Sequence, residues 1–126
     1  MQRIFHTPEG VRDIYNGECS QKHHLQTKIR KVFDSYGYEE IETPSFEYFE
    51  VFSREVGTIP SRDLYKFFDR EGNTLALRPD FTPSVSRACA TYFNPDQQVV
   101  TLSYTGNTFI NNSSYQGRLK ETTQMG

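Results

Sequence analysis

The sequence has no tryptophan, two methionines and two cysteines among 126 residues. Cys19 and Cys89 lie far apart, with no CxxC and no Cys/His spacing. They read as reduced thiols, not as a zinc site or a disulfide framework. No run of ~20 apolar residues occurs, so no membrane-spanning helix is expected. The opening MQRIFHTPEG lacks the apolar centre of a secretion signal, and a cytoplasmic location is the expectation. The net charge of −2 gives no broad basic field, which argues against nucleic acid as a partner. There is no internal repeat and no low-complexity run.

What is present is the material of one ordinary domain. Ten Phe and eight Tyr can supply the core that tryptophan does not. His6-Thr7-Pro8-Glu9-Gly10 is turn chemistry, and Arg12 beside Asp13 has a salt-bridge option. The clearest helix covers 16–36, where Leu25, Ile29, Val32, Phe33 and Tyr36 form one apolar face. Asn16 is placed to cap its start, Glu18 suits the positive end of the dipole, and Gly37 suits a left-handed C-cap. His23 and His24 are adjacent and point about 100° apart on a helix. A metal pair would be spaced i,i+4, so these histidines read as a solvated face.

Tyr38–Thr43 reads as a strand stopped by Pro44, which places it at an edge or interface. Phe46–Phe52 is aromatic-rich and reads as a short helix serving the core or a subunit contact. Val56–Arg62 is a loop. Leu64–Asp69 and Thr74–Arg78 form a hairpin across Arg70-Glu71-Gly72-Asn73. Thr82 as N-cap and Pro83 as first residue start a second helix running to about Tyr92, with Val85, Ala88 and Cys89 inward. Gln98–Tyr104 and Thr108–Asn111 are strands separated at Gly106, Asn112–Gly117 turns, and Leu119–Met125 returns.

Asp80 stands at the carboxyl end of a strand just before a helix, a common place for a group that faces a ligand. Assistance to the helix cap is an equal reading of the same residue. Gln124 can donate and accept, which suits a small zwitterion or a polar sheet surface. These choices stay open on local sequence alone.

Four stretches together resemble a known family: GVRD at 10–13, VFDSYGYEEIETPSFEY at 32–48, LYKFFDREGNTLALRPD at 64–80, and YTGNTF leading into YQGRLKETTQMG at the end. They are similar, in order and over almost the whole chain, to the start of the class II synthetase core of histidyl-tRNA synthetase type. The resemblance implies an α+β fold: an antiparallel sheet flanked by helices, of which residues 1–126 hold the N-terminal portion. Pro44 ends the counterpart of the family's first motif, a dimer-interface helix and strand. The last stretch resembles the second motif, strand–loop–strand. No counterpart of the third motif occurs, so the chain is expected to be an N-terminal fragment.

The departures from the synthetases point to their non-catalytic relatives. Aligned on Gly106, Phe109, Gly117 and Gln124, Ile110 stands where a synthetase has the Arg that grips the ATP α-phosphate. Asn112 stands where it has the Glu that helps hold adenine, and Asp80 replaces the Glu of an RPE-G-T segment. LRPDFTPS and YTGNTFIN resemble the regulatory subunits of ATP phosphoribosyltransferase nearly phrase for phrase. That resemblance implies no catalysis and no cofactor. It implies a hetero-octamer with a short-form catalytic subunit, self-dimerisation through the first motif, and feedback by histidine in histidine biosynthesis. Thr82 and Gln124 match positions that hold histidine, Asp80 in place of the Glu can supply the charge for its ammonium, and these three are the expected effector-binding residues. A true histidyl-tRNA synthetase and a tRNA-sensing module are the rival expectations, opposed respectively by Ile110 and by the net charge.

Overall fold

The computed structural model describes residues 2–53, 59–94, 96–112 and 117–126. Helix α1 spans Asn16–Ser35, and its end is built by the sequence as expected. Gly37 takes φ +80°, a left-handed value that costs glycine nothing. Tyr38 N–H then donates to Phe33 O and Gly37 N–H to Asp34 O, at 3.1 and 3.0 Å. These are the two bonds of a Schellman motif, and Phe33 and Tyr38 supply its apolar clasp with ring centroids 6.1 Å apart. The start differs from expectation. Tyr15, not Asn16, precedes the first turn, no side chain caps it, and Asn16 itself takes φ 53°. No residue of α1 is buried.

Strand β1, Glu39–Glu40, is shorter than Tyr38–Thr43 and pairs with β5, Leu102–Ser103. This pair runs parallel, so the sheet is not antiparallel throughout. Two-residue strands follow from the sequence around them. Pro44 closes one side, and Val99, expected within a strand, is 93% exposed. Phe46–Phe52 divides into strand β2, Phe46–Tyr48, and a short helix α2, Phe49–Ser53. The divided segment sends Phe52 into the core with Leu64 and Ala76, and Ile59 packs against them.

The expected hairpin forms as β3, Lys66–Phe68, and β4, Thr74–Leu77. Its turn is organised by Asp69, whose carboxylate accepts from the N–H groups of Glu71 and Asn73 and from the Asn73 amide. Strand β4 lies between β2 and β3, so its two faces carry buried Leu75 and buried Ala76. Helix α3 spans Thr82–Tyr92, one residue earlier than a Thr82 cap would give. Phe81 precedes it without a side-chain cap, and the buried residues are Pro83, Ser84 and Ala88, with Val85 and Cys89 only half-buried.

Strand β6, Thr105–Phe109, pairs antiparallel with β7, Glu121–Met125. Gly106 lies within β6 and does not interrupt it. The part of the Asn112–Gly117 turn at 113–116 and the part of the Val56–Arg62 loop at 56–58 lie outside the described residues. Among the described residues the strands thus pair as three smaller sheets instead of the expected single one. Arg78 N–H donates to Ser45 O, and Phe109 N–H donates to Arg78 O, at 3.0 and 2.9 Å. One residue past β4 therefore ties the three-stranded sheet to β6.

Candidate functional site

Side chains of paired residues in antiparallel strands share a face, and the face alternates along each strand. Tyr104 and Gly126 exchange both backbone hydrogen bonds, at 2.8 and 3.1 Å. Gly106 lies opposite Gln124, and Thr108 opposite Thr122. Tyr104, Gly106, Thr108, Thr122, Gln124 and Gly126 therefore form one face of the β6–β7 ribbon. Against it stands the turn between β4 and α3.

Asp80 occupies that turn. Its Oδ1 accepts from Phe81 N–H at 2.6 Å and Thr82 N–H at 3.4 Å. The local role foreseen for Asp80, help at the helix start, is therefore present. Its second oxygen has no partner among the described residues. Thr82 is exposed, and neither its hydroxyl nor the Gln124 amide is hydrogen-bonded within the described protein. No hydrogen bond joins Asp80, Thr82 and Gln124 to one another.

What joins the turn to the ribbon is Phe81, which the sequence reading passed over. It is 1% exposed. Its ring stacks on Tyr104, with centroids 4.5 Å apart and planes 15° from parallel. The Arg78 guanidinium lies over the same ring at 4.3 Å. A Cβ at Gly106 would stand 2.7 Å from Phe81 Cζ and 2.6 Å from Arg78 Nη2. Only a residue without a side chain lets the turn come this close. The ring thus packs the turn that carries Asp80 against the Tyr104–Gly106 part of the ribbon.

Arg78 is the second residue missed. It is 7% exposed and has no carboxylate partner among the described residues. Nε donates to Asn107 O at 2.6 Å, and Nη1 to Thr43 O and Pro44 O at 3.1 and 3.3 Å. Main-chain carbonyls thus take the place of a counter-ion. Burial lowers its pKa from the ordinary value. Burial in turn raises the Tyr104 phenol, and the nearby Asp80 charge raises it further. The hydroxyl therefore remains a protonated donor at neutral pH.

The opposite face of the ribbon holds a different arrangement. Asn107 bridges Glu121 and Thr123, donating to one carboxylate and accepting from the other's hydroxyl at 2.9 and 3.0 Å. It borders a cleft of about 440 Å³ that Arg12, Asp13 and Lys22 also line. None of Asp80, Thr82 and Gln124 lines this cleft. Arg12 pairs with Glu18 at 2.6 Å, not with Asp13. The pairing raises the Arg12 pKa and lowers that of Glu18, first through the hydrogen bond and then through charge. Ile110 and Asn112 continue beyond β6. Ile110 N–H donates to Lys120 O at 2.8 Å, and the Asn112 amide donates to Leu119 O at 3.4 Å. Among the described residues, no group of three or more His, Cys, Asp or Glu is placed to hold a metal, and no helix is long and apolar enough to cross a membrane.

The family described as histidyl-tRNA synthetase matches residues 10–126. The chain is 46% identical over 121 residues to the ATP phosphoribosyltransferase regulatory subunit of Ruminiclostridium cellulolyticum, covering 96% of this chain and 29% of that protein. It is 37% identical over 123 residues to the histidine–tRNA ligase of Methanococcus vannielii, covering 98% of this chain and 29% of the ligase. The crystal structure of a Bacillus halodurans C protein, described as an ATP phosphoribosyltransferase regulatory subunit/histidyl-tRNA synthetase, superposes with a TM-score of 0.81. That likeness is at 32% identity and covers 97% of this chain and 31% of the other. The chain thus spans 29% of the length of those two curated relatives. Its helices and paired strands have the α+β fold of class II histidyl-tRNA synthetase-like proteins, and the chain belongs to the histidyl-tRNA synthetase family.

Proposed function

We propose that this chain is the N-terminal portion of a regulatory subunit of ATP phosphoribosyltransferase, without catalytic activity of its own. In this reading it self-associates through the segment of α1 and β1, assembles with a short-form catalytic subunit as a hetero-octamer in the cytoplasm, and serves the first step of histidine biosynthesis. The observation that carries the reading is the 46% identity over 96% of the chain to a relative of that name, against 37% to a tRNA ligase. Ile110 supports it chemically. An aliphatic side chain cannot neutralise a phosphate, and loss of such a charge-assisted contact costs a synthetase orders of magnitude in rate. Histidine is the effector in this reading, its ammonium facing the free oxygen of Asp80, with Thr82 and Gln124 completing the contacts.

The test uses the regulatory subunit that carries this chain, purified with and without the catalytic subunit. Phosphoribosyl transfer should rise on mixing, and histidine should inhibit the mixture. Histidine-dependent exchange of pyrophosphate into ATP by the subunit alone would instead identify a synthetase. Asp80→Asn should weaken histidine binding about ten- to a hundredfold. Unchanged histidine binding and inhibition in both Asp80→Asn and Gln124→Ala would remove the effector from this pocket.

A further inference from the structure

Tyr104 is half-buried on the same face as Gln124. Phe81 stacks on it at 4.5 Å, and Gly126 pairs with its backbone. A Cβ at Gly126 would stand 2.5 Å from the Tyr104 hydroxyl, so the phenol lies flat across the space that a side chain there would take. The Phe81 stack supports one face of the ring, and the bare Gly126 leaves room for it. The hydroxyl it carries has no hydrogen-bond partner among the described residues, and the Asp80 charge is near enough to act on it.

We propose that Tyr104 is a further ligand-positioning residue of this site, its hydroxyl donating to an acceptor atom of the amino acid whose ammonium faces Asp80. The proposal rests on the effector reading given above and deepens it. Asp80 and Tyr104 are complementary: one accepts from a cation, the other donates to a lone pair. An amino acid carries both within a few ångströms. Asp80 alone would accept any small ammonium, whereas the pair demands an acceptor beside it. The preference for an acceptor depends on the placement of the phenol, which the Phe81 stack supports and for which the bare Gly126 leaves room. Burial of the phenol keeps the proton on the oxygen, so it donates throughout the neutral range.

Tyr104→Phe removes the donor and keeps the stack. Calorimetry with L-histidine on the subunit assembled with its catalytic partner should show binding weakened about five- to thirtyfold, with the unfolding temperature unchanged. Tyr104→Leu should lose binding together with stability, because the stack goes too. Three outcomes are distinguishable. Weakened binding in both Tyr104→Phe and Asp80→Asn supports the proposal. Wild-type affinity in Tyr104→Phe with loss in Asp80→Asn overturns it while leaving the effector reading intact. Wild-type affinity in both variants overturns the site and the proposal together.

Discussion

Removing the Arg78 guanidinium should destabilise this fold more than any surface change, and the cost can be built up from its contacts. The Nε bond to Asn107 O is short, at 2.6 Å, while Nη1 divides its bonding between Thr43 O and Pro44 O at 3.1 and 3.3 Å. Counting the divided pair as one bond leaves two bonds from a charged donor, each worth about 1.5–3 kcal/mol. The guanidinium over Phe81 adds about 1 kcal/mol. Against this, the cation is nearly buried without a carboxylate partner among the described residues, and its removal recovers part of its desolvation cost. The net expectation is about 3–4 kcal/mol for Arg78→Ala, a large share of the ~5–15 kcal/mol that holds a domain together. Arg78→Met separates the contributions, since it retains the chain length and apolar contact but no donor. It should still cost about 2–3 kcal/mol, because the carbonyls of Thr43, Pro44 and Asn107 lose their partner. Arg78→Lys keeps the charge but cannot reach both sides with one ammonium, and should fall between wild type and Met. Urea unfolding at neutral pH, followed by circular dichroism, ranks the four proteins. A Met variant within about 0.5 kcal/mol of wild type, the range of a neutral surface change, would show that water serves these carbonyls equally well and would refute the reasoning.

Gly106→Ala should cost about 1–3 kcal/mol, because the new Cβ meets two side chains that are themselves held. A wild-type melting temperature in this variant would mean that Phe81 and Arg78 can yield. Asp69 should make the hairpin sensitive to acid. Its hydrogen bonds, led by the Asn73 amide, hold its carboxyl below the ordinary value of 3.8. Its contribution is therefore present above that value and lost as the pH falls through the depressed one. The melting-temperature difference between wild type and Asp69→Asn should shrink in acid, and a constant difference down to low pH would contradict the assignment.

The parts legible in the sequence are those whose cause is local. Helix α1 and its Gly37 end follow from periodicity and one left-handed residue, and the β3–β4 hairpin from turn chemistry. Most of the parts that were not legible depend on residues not adjacent in the chain, and one on a backbone angle. Nothing near Glu39 says that it will pair in parallel with Leu102. Asn16 has the right chemistry for a cap, yet its backbone takes a left-handed φ and the cap is not made. Phe81 looked like one residue of a turn, because its burial comes from Arg78, Tyr104 and Gly106, none adjacent to it. A signal for Arg78 did exist: an arginine between Leu77 and Pro79, at the end of a strand buried on both faces. Asp80 lies in the turn before α3, Thr82 is the first residue of α3 and Gln124 lies on β7, and no periodicity could have foretold the Phe81 ring stacked on Tyr104 beside them.

The parallel pairing of β1 with β5 has a consequence for how the chain is made. Glu39 and Leu102 lie about sixty residues apart, while β3–β4 and β6–β7 close over short spans. Closing a long loop for a two-residue strand recovers little free energy until the intervening hairpin and α3 are already in place. During synthesis α1 and β1 leave the ribosome early and must wait, the helix with no residue buried and the strand with an open edge. Pairing of β1 with β5 therefore waits on residues 101–103, and a slow or interrupted translation across residues 41–101 lengthens the time before this pair forms.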